Sequence, residues 1–141
     1  MEGKEKGDMK KVLVVGSLNM DMVLSVDHHP VPGETIIGDG ITYHPGGKGA
    51  NQAYAVGKLG GDVRIIGCVG WDNNGMILTE NLAQAGVDTT AINRMPEAPT
   101  GMAIIDVDKK GDNSIIVISG ANACLTPDLL RKQKASVEWS D

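Results

Sequence analysis

Two short runs constrain this chain most: residues 12–16, VLVVG, and residues 63–70, VRIIGCVG. Each is apolar at consecutive positions and rich in β-branched residues. That is how a strand covered on both faces reads, and parallel sheets are the ones covered on both faces. Helical patterns fill the intervals. The first spans 49–59 and stops at Gly60-Gly61; the second spans 74–85, with Leu78, Leu82 and Ala85 on one side and Gly86 just past its end. Strand, helix, strand, helix predicts an open α/β body. With 141 residues, 41% of them hydrophobic, the chain is long enough for one domain with a real core.

Other segments depart from that rhythm. Residues 22–27 (MVLSVD) and 34–44 (ETIIGDGITYH) read as extended, joined by a turn at 28–33 (HHPVPG). Residues 101–108 and 113–120 flank the polar turn 109–112, a β-hairpin signal. Four strands inserted into an α/β body predict a small antiparallel sheet standing off the main one, the form of a flap or lid. The α/β core then comprises 12–21, 45–99 and 121–135, the lid 22–44 and 100–120, with polar tails at 1–11 and 136–141. Thr126 is placed to cap a helix that has Pro127 at its first position. A parallel sheet of about three strands keeps an open edge, so the isolated chain is expected to be marginally stable or to associate.

Charge and composition narrow the functions. A net charge of −5 opposes nucleic acid or an anionic membrane surface as the main partner. No apolar run spans a bilayer, and residues 1–11 lack the apolar stretch of a signal peptide, so a soluble, cytoplasmic protein is expected. Cys68 and Cys124 have no Cys-x-x-Cys spacing and read as two free thiols. His28, His29 and His44 lack further ligands at metal-binding spacing. Asp106, Asp108 and Asp112 straddle the hairpin turn and read as a solvated cluster, and Trp71 reads as packing near a strand end.

Two stretches carry candidate chemistry. GSLNMD, residues 16–21, follows the first strand directly, and open α/β sheets bind ligands beyond the carboxyl ends of their strands. Asn19 and Asp21, two apart, project to one side of an extended segment. An amide that donates and accepts, beside a carboxylate that only accepts, suits adjacent hydroxyls such as those of a sugar. The same two residues also suit a solvated turn, and taken alone they leave both readings open. HPGGKGANQA, residues 44–53, is a Gly-Gly turn entering a helix. It is not a Walker A loop, having Thr42 and Gly49 where that motif needs Gly and Ser or Thr. Nor is it a dinucleotide fingerprint, since the third glycine is missing, and this opposes a nicotinamide dehydrogenase. Lys48, Asn51 and the free N–H groups of the helix start can reach the ligand held by Asn19 and Asp21, or Lys48 is simply solvated.

Taken together, VVGSLNMD, PVPGET, GGKGANQA, GCVGWDNNG, APTGMAIIDVD and SGANACLTPD resemble the ribokinase-like sugar kinases, the phosphofructokinase B type. These motifs stand in the family's order over roughly residues 12 to 130, and Lys48 brings the likeness nearest to the ribose kinases. The resemblance implies a ribokinase-like parallel-sheet core, incomplete here, with a β lid. It implies transfer of phosphate from ATP to the 5-hydroxyl of ribose, with Mg²⁺ and a monovalent cation such as K⁺. By position in the motifs, Asn19, Asp21, Gly46, Gly47, Lys48 and Asn51 would contact the sugar, and Ala103 and Ile105 would cover it. The lid would also pair two copies into a homodimer. The family's catalytic base, nucleotide site and cation sites belong to motifs of a second half that do not occur in this sequence. The chain is therefore expected to be the sugar-binding and lid half of such a kinase, inactive by itself. A non-catalytic sugar-binding or dimerisation module built on the same fold is the alternative.

Overall fold

The structure, a computed structural model, describes residues 9–141, so most of the expected N-terminal tail lies outside the described residues. Two sheets make up the α/β chain. The first is parallel, in the order β1 (Lys11–Val15), β4 (Asp62–Gly70), β5 (Ile92–Met95). The second has the order β3 (Gly40–Gly46), β2 (Asn19–Ser25), β6 (Gly101–Val107), β7 (Asn113–Ile118). Helices α1 (Lys48–Lys58) and α2 (Asn73–Gln84) follow β3 and β4, and α3 (Pro127–Lys132) and α4 (Lys134–Trp139) close the described chain. Among the described residues no helix is long and apolar enough to cross a membrane.

The core forms where the two-sided strands predict it. Val63, Ile65, Ile66, Cys68 and Val69 of β4 are all buried, and Leu78 and Leu82 of α2 pack onto this strand's layer with Val14, Ala50 and Ala53. Leu18, fully buried in the link between β1 and β2, sits where a Cβ on Gly67 of β4 would have to be. Burial pushes the Cys68 thiol up to about 11, so it stays a protonated core group, and both cysteines are free.

The helix ends follow local chemistry. Asp72 caps α2, its Oδ1 accepting the Gly75 N–H at 2.8 Å, and Thr126 caps α3 by accepting the Leu129 N–H at 3.2 Å. Asp72 also ties the two sheets together. Its Oδ1 accepts Thr100 Oγ1 at 2.6 Å and its Oδ2 accepts the Thr100 N–H at 2.8 Å, while Thr100 Oγ1 accepts the Gly70 N–H at 2.9 Å. Burial opposes ionisation of Asp72. The bonds from Thr100 and Gly75, with the nearby Arg94 charge, outweigh it and hold the carboxyl below the usual range.

Several expectations need correction. The lid sheet is mixed rather than antiparallel: β2 pairs with β6 in parallel, Asn19 opposite Gly101 and Asp21 opposite Ala103, and only its outer pairs are antiparallel. Two hairpin-like segments far apart in sequence meet along their first strands, which no local pattern encodes. The extended stretch at 34–44 becomes a strand only from Gly40. Residues 136–141 are not a free tail. Most of them belong to α4, and they dock on the core sheet, with Trp139 under the Arg64 guanidinium of β4 at 4.3 Å and the Asp141 N–H donating to the Lys11 carbonyl of β1 at 3.1 Å. Lys11, expected in the other tail, is the first residue of β1. Trp71 stands at the end of β4 as expected and meets Arg94 of β5, but it is 68% exposed, its indole N–H donating to the Arg94 carbonyl at 3.0 Å.

The start of α1 is pressed onto the chain leaving β1. A Cβ on Gly49 would lie 2.7 Å from the Gly16 carbonyl carbon and 2.8 Å from the Ser17 nitrogen, and one on Gly16 would lie 2.9 Å from the Gly49 Cα. These are backbone atoms that cannot move aside. Gly49→Ala is therefore expected to lower stability by about 1–3 kcal/mol in urea unfolding, despite alanine's better helix propensity. Gly40→Ala, which meets nothing within 4 Å, is expected to be near neutral in the same experiment.

Candidate functional site

Gly47 has φ 96° and is the N-cap residue of α1, with no side-chain cap. Its missing Cβ would meet the Ser17 carbonyl oxygen at 2.6 Å and the Asn19 nitrogen at 2.9 Å. Only glycine combines that left-handed turn with that approach. The Ala50 N–H then donates to the Ser17 carbonyl at 3.0 Å, fastening the helix to the link. As a result Lys48 and Asn51, on the first turn of α1, stand beside Asn19 and Asp21 at the start of β2.

These side chains open into one cavity of about 400 Å³. Asn19, Asp21, Gly47, Lys48 and Asn51 form its polar side, and Ala103 and Ile105 of β6 with Ile115 and Val117 of β7 form its apolar side. The strand register explains the grouping: Asp21, Ala103 and Val117 lie across from one another, so their side chains share a face of the lid sheet. Asn19 and Asp21 thus belong to a lid strand, not to a turn at the end of a core strand. Gly46 does not line the cavity. A Cβ there would run into the Asp21 carboxylate, so its part is to leave that group room. Burial raises the pKa of Asp21 above the ordinary aspartate value, offset in part by His44 on the neighbouring strand.

Sequence reasoning assigned no role to Asn122, which also lines the cavity. It stands on the 3₁₀ turn Gly120–Cys124, its Oδ1 accepting the Leu18 N–H at 3.0 Å and its Nδ2 donating to the Leu18 carbonyl at 3.0 Å and to Asn19 Oδ1 at 2.7 Å. The sequence signal was the SGANACLTPD motif; what hid the role is a separation of 103 residues from Asn19.

His28 and His29, with the hairpin aspartates Asp106 and Asp108, form a separate cluster at the far end of the lid, while His44 stays on β3 opposite Asp21. His29 Nδ1 lies 2.5 Å from Asp106 Oδ2, and its Nε2 lies 3.6 Å from Asp108. His28 lies between Asp27 at 3.0 Å and Glu34 at 2.8 Å, and Lys109 pairs with Asp27. Asp106 and Asp108 are therefore not simply solvated: they hold the loop after β2 against the β6–β7 hairpin. Among the described residues no group of three or more His, Cys, Asp or Glu is arranged to hold a metal ion.

That cluster titrates from both sides. Hydrogen bonds donated to their carboxylate partners raise the pKa of His28 and His29, so this contribution is complete below the free imidazole value and is lost as pH rises through the raised one. Bonds to Lys109 and the histidines lower Asp27, Glu34 and Asp106, so theirs is complete above the free carboxylate value and lost as pH falls through the lowered one. Amide protection across residues 26–34 is expected to peak between roughly pH 4.5 and 6.5 and to decline on either side. A flat hydrogen-exchange profile from pH 4 to 8 would contradict the pairing.

Comparison with known proteins gives one consistent family. The profile of the pfkB family carbohydrate kinases matches residues 9–141. The ribokinase of Haemophilus influenzae is 45% identical over 134 residues, covering 94% of this chain and 44% of that protein. The crystal structure of a Thermotoga maritima ribokinase superposes with TM-score 0.82 at 43% identity, over 89% of this chain and 42% of the other. A ribokinase of Arabidopsis thaliana solved with ribose and ATP superposes with TM-score 0.74 at 35% identity, over 81% of this chain and 37% of its own. The chain thus spans less than half the length of these relatives.

Proposed function

The chain belongs to the pfkB family of carbohydrate kinases, and we propose that it is the sugar-binding and lid portion of a ribokinase, which transfers phosphate from ATP to the 5-hydroxyl of D-ribose and yields ribose 5-phosphate and ADP. The observation that carries this reading is the cavity itself. It sets an amide, a carboxylate, a lysine and a second amide on one side and aliphatic side chains of a lid sheet on the other. A pentose has that same division, hydroxyls around its rim and C–H groups on its ring face. The relative solved with ribose and ATP supports both the sugar and the phosphoryl donor.

In this reading Asp21 accepts hydrogen bonds from sugar hydroxyls, Asn19, Lys48 and Asn51 donate to sugar oxygens, and Ala103 and Ile105 exclude water from the ring face. ATP, Mg²⁺ and a monovalent cation such as K⁺ complete the reaction in the whole kinase. The part of this chain in that reaction is to bind and orient the sugar, through the side chains that line the cavity. The groups that hold the nucleotide and deprotonate the 5-hydroxyl are proposed to come from the portion of the relatives that this chain does not match. Phosphoryl transfer rests on positioning and charge stabilisation, so the chain by itself is expected to bind ribose without turning over ATP.

The lid is proposed to pair with a second copy as well. β7 is an edge strand with all of its residues exposed, Ile116 by 62% and Val117 by 60%. Sedimentation should show a dimer that Ile116→Asp dissociates; a monomer at high concentration would remove this part.

Calorimetric titration of ribose tests the site. Binding is expected for the chain as it stands and is expected to be lost in Asp21→Asn. No heat up to sugar concentrations on the order of 10 mM would sink the assignment. Ribose needs the ionised carboxylate, so affinity should be level near neutral pH and should fall as pH drops through the raised pKa of Asp21.

A further inference from the structure

We propose that Asn122 is a positioning residue for the sugar site: it sets the rotation of the Asn19 amide, so that Asn19 turns its NH₂ and not its oxygen toward the ligand. This role rests on the sugar-binding reading of the cavity.

The orientation follows from backbone chemistry outward. A backbone N–H can only donate and a carbonyl can only accept. Asn122 contacts both groups of Leu18, at 3.0 Å each, so its oxygen must face the N–H and its NH₂ the carbonyl. The other hydrogen of that NH₂ meets the Asn19 side chain at 2.7 Å, and only an oxygen can accept it there. The reverse rotation would set NH₂ against NH₂. Leu18 is fully buried, so the backbone that fixes the first amide is shielded from competing water.

The surroundings are built for this pair. Asn19 lies between Gly46 and Gly101 on its two neighbouring strands. A Cβ on Gly101 would run into both Asn122 Nδ2 and Asn19 Oδ1, so the joined amides occupy the space that a side chain would take. Asn122 is held from behind: Ala121 is fully buried and its N–H donates to the Pro99 carbonyl at 2.7 Å. Asn19 Oδ1 is thereby spent inside the protein, while its NH₂ makes no hydrogen bond among the described residues. The cavity wall presents a donor at Asn19 and, two residues along the same strand face, an acceptor at Asp21. Two adjacent hydroxyls satisfy this pair when one accepts from Asn19 and the other donates to Asp21. A sugar lacking the first hydroxyl leaves the Asn19 NH₂ unmatched, and unmatched polar groups give strong discrimination.

The test is Asn122→Asp. The introduced carboxylate still accepts from Leu18 N–H but donates nothing, so Asn19 is expected to turn its NH₂ toward it and show its oxygen to the cavity. Ribose affinity should fall by about tenfold or more, and the preference for ribose over its 2-deoxy and 3-deoxy analogues should collapse. In NMR spectra of the unmutated chain, the Asn122 NH₂ protons should exchange with water more slowly than those of Asn19, and ribose should shift the Asn19 signals. A merely structural role would weaken all three sugars alike and leave their ratios unchanged; that outcome, or unchanged ribose affinity, overturns the proposal. If the unmutated chain binds no ribose, slow Asn122 protons would overturn only the sugar reading. Asn19 protons slower than those of Asn122 would overturn the orientation itself, with or without a sugar.

Discussion

The architecture depends on a place where side chains are missing. Helix α1 begins against the backbone that links β1 to β2, and the approach is close enough that Gly16, Gly47 and Gly49 have no room for a Cβ. Glycines weaken a helix, but here their absent side chains let one backbone lie directly on another. The Ser17 carbonyl completes the junction by accepting the Ala50 N–H. The grouping of Lys48 and Asn51 with Asn19 and Asp21 follows, because this contact sets the first turn of α1 beside the first residues of β2.

A second junction holds the lid at its other root. Asp72 caps α2 and binds Thr100 through both backbone and side chain, just before β6 begins. A change at Asp72 would therefore act on the core helix and on the entry to the lid together. The lid is anchored by Leu18 and Asn122 on one side and by Asp72 and Thr100 on the other. Its far end is held by the exposed pairs of His28 and Lys109, which are individually weak, and by the part-buried pair of His29 with Asp106.

Much of this was legible from local sequence. The two-sided strands, the Gly-Gly turn into α1, the stop signals of α1 and α2, the Thr126-Pro127 helix start and the hairpin around residues 109–112 all rest on interactions within a few residues. The grouping of Asn19 with Asp21 needed only the two-residue period of a strand. What escaped lies across long separations. β5 (INRM) has too little apolar character to read as a strand, and it forms because β4 offers it an edge. Asn122 looked like one residue in a family motif until the fold brought it to Leu18. The His29–Asp106 pair joins residues 77 positions apart, so it left no mark on the histidine spacing.

By itself, then, the sequence determined the kinds of most elements, several of their ends, the α/β class and the family likeness, because propensity, capping and periodicity act over one or two turns. Only the tertiary structure decided that β2 and β6 run parallel, that Trp139 of α4 packs under Arg64 of β4, and that the Asn19 amide is turned by a distant asparagine. Each of those is a choice among partners. A backbone edge, an aromatic face or a side-chain amide can be satisfied by many groups, and which one it meets is settled by what the buried core brings within reach.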